Sequence, residues 1–305
     1  METETKKRTI EGIVKGYSTP ISILAAGVFI AMALYYSPTE RTKDTTADAK
    51  AQTQLQESVL PSDGVTLPVS WGDLGAKLVE VGAIDKVKLE ALYKDRGGFP
   101  PAYKTMLEKN NSEKIVITSS NSGYFLNLLW ALGLANKNSI LEDKSEMMNP
   151  SYGGAENFAS TGGWTLAKGD AMNHYNKHAL VSLTADQQTL VDRVSRGIFR
   201  PCCGNSTHFP DCNHGMAMLG LLELMASQGI GEQEMYNVAL AVNSYWFPET
   251  YITLATYMKN KGIAWKDVSP QEMLSAPYSS SSGYQNISSQ VTLPEQVQGG
   301  GGCSA

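Results

Sequence analysis

The sequence predicts a mainly α-helical protein: a single globular helical domain behind one N-terminal transmembrane helix, with a flexible C-terminal tail. Three observations predict it. Beyond residue 67, apolar residues recur at helical spacing between residues suited to cap helices. An uncharged run of eighteen residues, 19–36, follows a basic N-terminus, and the last 29 residues collapse to Ser, Gly and Gln.

Residues 1–18 carry Lys6, Lys7, Arg8 and Lys15 and are expected in the cytoplasm, because basic residues stay on that side of an apolar segment. The run 19–36 (TPISILAAGVFIAMALYY) has about the minimum length for spanning hydrocarbon, with Tyr17, Tyr35 and Tyr36 at its interfaces. It reads as a single-pass signal-anchor. The competing reading is a cleaved signal peptide ending at Ala31-Met32-Ala33; either one exports the remainder. Residues 37–66 contain almost no large apolar side chains and read as a disordered tether.

The helical domain is expected over 67–276. Asp73 and Asp85 can cap two short helices separated by Gly82, and Lys114 to Thr118 is the one passable strand. Tyr124 to Leu134 is apolar nearly all round, as a helix buried within a domain is. Asp170 can open a helix to about Leu180 carrying His174 and His178 on one face. Thr184-Ala185-Asp186-Gln187 is a capping box. Asp211 or Asn213 opens a Leu- and Met-rich helix ending near Gly229; two more follow over 232–247 and 248–261, and Ser269 caps a last short one. The remaining residues, 277–305, read as a flexible Ser/Gly-rich tail ending near Cys303.

Composition limits the function. The chain of 305 residues is 42% hydrophobic, enough for a sizeable core, and four cysteines are too few for a disulfide scaffold. A net charge of -5 with no Lys/Arg cluster after residue 15 excludes nucleic acid as a partner, since phosphate binding needs a concentrated basic surface.

Chemistry concentrates in residues 200–215, which hold three of the four cysteines and two of the four histidines. Thiolate and neutral imidazole suit zinc, copper and iron alike, so a transition metal ion is the expected cofactor. The candidate ligands are Cys202, Cys203, His208, Cys212 and His214, with His174 and His178 nearby and Asp211 as a carboxylate ligand or a partner to a histidine. In an extended backbone the adjacent Cys202 and Cys203 would point oppositely and would not hold one ion together. Cys212, at a helix N-terminus, is the thiol expected to be most reactive.

These residues point first to a membrane-anchored extracytoplasmic metal-binding protein, a metal chaperone or a metal-redox enzyme. The alternative is a thiol-disulfide oxidoreductase or thiol sensor that uses Cys202, Cys203, Cys212 and Cys303 and has a metal or thiol exchange partner. A second alternative is a helical interaction domain stapled by one disulfide, without catalysis. Clustering of every histidine between residues 174 and 214 favours the first; the vicinal pair and the cysteine of the tail favour the second.

Overall fold

The computed structural model describes residues 40–94 and 96–292. The expected cytoplasmic N-terminus, the transmembrane segment 19–36 and Cys303 lie outside the described residues. Among those described, no helix is long and apolar enough to cross a membrane. Contacts divide the chain into residues 1–53 and a body from Gln54 onward.

The mainly helical expectation holds, with two corrections at the borders of the domain. The first concerns the tether: 37–66 is not featureless, since helix α1 spans Glu40–Val59. Its Ala, Gln, Lys and Glu residues are good helix formers even where no apolar stripe exists, and near its end Leu55 and Val59 enter the core. Strand β1 follows at Val65–Gly72 and pairs antiparallel with β2, Asn111–Ile117. Only β2 was legible beforehand. β1 alternates, burying Leu67, Val69 and Trp71, but Pro68 masks it; the ladder is irregular between Thr66 and Ser70, which is where proline's missing N–H is tolerated.

The short helices α2 (Leu74–Glu80), α3 (Lys86–Lys94) and α4 (Pro101–Glu108) connect the two strands, and α2 packs against β1 and α4. Asp85 caps α3 through Val87 and Lys88, whereas Asp73 makes no capping bond and instead pairs with Lys77. Helix α5, Ser122–Ala135, is buried as its composition demands.

Helix α6 (Ala185–Gly197) opens with the full capping box of Thr184 and Gln187. Helix α7 (Asn213–Ser227) is the axis of the body, buried from Asn213 through Ala226. It crosses α5 backbone to backbone: a Cβ on Gly133 would lie 2.1 Å from the Met216 carbonyl oxygen, and one on Gly220 2.3 Å from that of Leu129. Only glycine allows that approach. Helices α8 (Glu232–Trp246) and α9 (Pro248–Asn260) complete the bundle.

The second border correction concerns the tail. Within the segment 277–305 expected to be flexible, the chain is folded through residue 288. Helices α10 (Pro270–Met273), α11 (Ala276–Ser279) and α12 (Ser281–Ser288) close over the body. Small residues here serve close packing. Ser279 and Ser280 are buried with their hydroxyls bonded to the Met273 and Ala276 carbonyls, and Ile287 joins the core. The Ser281 N–H donates to the Cys203 carbonyl at 2.9 Å, so this segment braces the cysteine loop.

A third correction concerns His174 and His178. They do not share a helix: a 3-10 turn at Ala171–Asn173 is capped by Asp170 as expected, but the chain then bends through Asn176, which has φ 55.

Candidate metal and thiol centre

Helix α6 delivers the chain to Arg200, a turn places Cys202 and Cys203, and the loop returns to Cys212, the N-cap of α7. The three sulfurs converge. Cys202 Sγ lies 3.3 Å from Cys203 Sγ and 3.6 Å from Cys212 Sγ, and all three lie within 4.8 Å of one another. The expectation that the vicinal pair would point apart is therefore wrong, because the backbone turns there and the alternation of an extended strand does not apply.

Arg200 organises the centre. Its side chain is only 1% exposed, at the N-terminal end of α7, where the helix dipole disfavours a cation. Four hydrogen bonds compensate. Nε donates to Cys212 Sγ at 3.0 Å and Nη1 to the Asn205 carbonyl at 3.1 Å; Nη2 donates to the Phe209 carbonyl at 3.0 Å and to Asp211 Oδ1 at 2.6 Å. The guanidinium fits because Gly215 has no side chain: a Cβ there would lie 2.6 Å from Arg200 Cζ.

These contacts divide the protons unequally. Cys212 is held well below the ordinary thiol range by hydrogen bonds from Cys202 and Cys203 and then, against the cost of burial, by Arg200 and His214. The Gly215 N–H adds a bond to the same sulfur at 3.4 Å. Cys202 is raised by its hydrogen bonds to Cys203 and Cys212 and by burial. Cys203 receives a bond from Cys202 that favours its thiolate, but its own donation to Cys212 and burial outweigh it, pushing it up to about 12. Of the three sulfurs, Cys212 is the one whose surroundings favour a thiolate, beside two thiols and a guanidinium.

The other predicted ligands do not join the sulfurs. Asp211 is bonded to Arg200 and Asn205 and acts as counter-ion to the guanidinium; burial raises its carboxyl although Arg200 pulls it down. His214 is tilted against Phe247 with centroids 4.4 Å apart; it favours the Cys212 thiolate but is not one of the groups that converge with the three sulfurs, and its buried Nδ1 makes no hydrogen bond. His208 points to a separate cluster. Its Nδ1 lies 2.6 Å from Glu146 Oε2 and its Nε2 2.9 Å from Asp192 Oδ2. His174 and His178 meet each other.

Among the described residues, two groups of three such side chains could hold a metal ion: the three cysteines, and Asp143, Glu146 and His208. They differ in readiness. Both ring nitrogens of buried His208 are already engaged by carboxylates, so that cluster works as it stands as a clamp between the loop at 143–146, α6 and the cysteine loop. Comparison of the chain with protein-family models, with curated proteins and with solved structures finds no match in any of the three.

Sequence reasoning missed Arg200, Asp143, Glu146 and Asp192. The pairing of Asp192 with Arg196 at helical spacing was visible, but nothing in the spacing joined it to His208. A further buried group also went unnoticed. Glu223, at the middle of α7, is fully buried and accepts one hydrogen bond, from Asn138 Nδ2 at 2.6 Å, while its Oε2 has no partner. Burial pushes its pKa up to about 8.

Proposed function

We propose that this chain is a metal-binding protein whose centre is Cys202, Cys203 and Cys212, serving as a metal chaperone or a metal-redox site. The observation that carries the reading is the convergence of three partly buried sulfurs from both ends of the loop. Thiolates bound at about 2.3 Å in tetrahedral geometry stand about 3.8 Å apart. The 3.6 Å between Cys202 and Cys212 is close to that edge, and the 3.3 Å of the vicinal pair is somewhat shorter. Charge points the same way. A divalent ion on three thiolates leaves one net negative charge, which buried Arg200 offsets; soft donors favour zinc or copper over hard cations. Since two of the thiols must lose protons, binding strengthens as pH rises. In the same reading the basic segment and apolar run at 1–36 anchor the body to the outer side of a membrane, a placement that rests on the sequence pattern alone.

The test is to purify the full chain without chelator, measure bound metal by mass spectrometry, and map thiol alkylation before and after chelation. Stoichiometric metal whose removal uncovers Cys202, Cys203 and Cys212 is the expected result. A metal-free protein carrying a readily exchanged disulfide would overturn it.

That second outcome corresponds to a reading favoured by the depressed pKa of Cys212. Its thiolate would attack a partner disulfide, forming a mixed disulfide and expelling one thiolate. Cys202, 3.6 Å away, would then lose its proton and attack Cys212. The partner leaves as a dithiol, and Cys202 and Cys212 are left oxidised.

A further inference from the structure

His174 and His178 lie apart from the thiol centre and face each other. His174 is buried, and its Nε2 lies 3.0 Å from the Lys168 carbonyl oxygen. A carbonyl only accepts, so Nε2 must carry the proton and, in the neutral ring, Nδ1 must present its lone pair. That lone pair faces His178 Nε2 at 3.1 Å. Imidazoles that ligate metals are oriented in this manner, with the outer nitrogen donating to a carbonyl and the inner one left bare.

Two nitrogens each about 2.0–2.1 Å from one ion stand roughly 2.8–3.4 Å apart for angles between square and tetrahedral. The observed separation falls inside that window. Both residues are fixed by backbone bonds rather than by the ring contact: the His174 N–H donates to the Ala171 carbonyl and the His178 N–H to that of Ala135, while the His178 carbonyl accepts from Lys137. Gly82 lies against the His174 ring, where an added Cβ would come within 3.3 Å of Cε1. His178 is partly exposed, which leaves positions on the ion open to solvent or to an incoming ligand.

We propose that His174 Nδ1 and His178 Nε2 form a second, bis-imidazole site for a borderline divalent transition metal ion, independent of the three cysteines. Two imidazoles without thiolate bind more weakly than the sulfur centre and exchange more readily, so this site loads second. It differs from the cluster around His208, where carboxylates occupy both ring nitrogens.

Cobalt(II) is the probe, because thiolate ligands give it a sulfur-to-metal charge-transfer band in the near ultraviolet and imidazoles do not. Titration of the full chain should show two equivalents, the first with that band and the second without it. His178→Gln, at a partly exposed position, should lose only the second equivalent while keeping the band and the circular dichroism spectrum. Uptake of a single equivalent by the unaltered protein, or retention of both by H178Q, would reduce the contact to a hydrogen bond between two rings. Absence of the charge-transfer band together with loss of an equivalent in H178Q would sink the sulfur centre and leave this site standing.

Discussion

Arg200, packed at the N-terminus of α7, and Glu223, within that helix, are both buried, and the fold treats them in opposite ways. At its N-terminus Arg200 is enclosed with four hydrogen bonds and two anionic neighbours, Cys212 and Asp211. At its middle Glu223 is enclosed with one hydrogen bond and no cation bonded to it. Desolvation acts against the charge of both groups. Arg200 stays charged because its partners were built around it, and Glu223 gives up its charge through neutral pH because burial is offset by a single bond from a neutral amide. The difference separates a site, where a charge is maintained to keep a second group ionised, from a buried polar contact between α7 and the chain after α5.

The sharpest way to break that comparison is to remove the guanidinium. Arg200→Met leaves Asp211 and the Cys212 thiolate buried without their cation, and loss of one partner of such a group costs about 3–5 kcal/mol. Chemical denaturation should show that loss, and the pH profile for alkylation of Cys212 should move up towards an ordinary thiol. An unchanged profile would mean that Cys202 and Cys203 alone hold the thiolate.

Glu223→Gln tests the opposite case. The folded pKa of Glu223, about 8, lies above its ordinary value of 4.5. Its contribution to stability is therefore fully present below about pH 4.5, and is lost as pH rises through about 8. Glutamine can still accept from Asn138 and carries no charge, so E223Q should remove that loss and exceed the unaltered protein at pH 8 by roughly 4 kcal/mol. Equal stability of the two proteins at pH 5 and at pH 8 would show that Glu223 remains charged with a partner of its own.

Gly215→Ala carries a smaller effect back to the N-terminus. The new Cβ would collide with Arg200 Cζ and Nη2 at 2.6 Å, and overpacking of this kind costs about 2 kcal/mol. The displaced guanidinium should raise the alkylation pKa of Cys212 and weaken metal binding, as in R200M but to a lesser degree.

The contrast also explains what the sequence could reveal. Thr184 with Gln187, the apolar run of α5 and the position of Cys212 before α7 were legible because each depends on residues within a few positions of one another. The destination of each histidine was not. Residues 174, 178, 208 and 214 are near in sequence, yet His208 is turned towards Glu146 and Asp192, and His174 towards Lys168, by tertiary contacts that leave no mark on spacing. Serines 279 and 280 looked like linker because small polar residues are common to loops and to close helix contacts. Only the buried carbonyls that they satisfy tell the two apart.

The smallest predicted effect checks that the larger ones are local. Thr184→Ala removes half of the capping box of α6, the helix that leads to Arg200, and should cost about 1 kcal/mol. Because Thr184 bonds only at the start of that helix and Arg200 lies beyond its far end, the stability loss should come with no change in Cys212 alkylation or in metal affinity. If T184A shifted the thiol as much as G215A, the thiolate would be answering to overall stability rather than to the position of one guanidinium. The distinction between Arg200 and Glu223 would then collapse to a difference in how tightly each is packed.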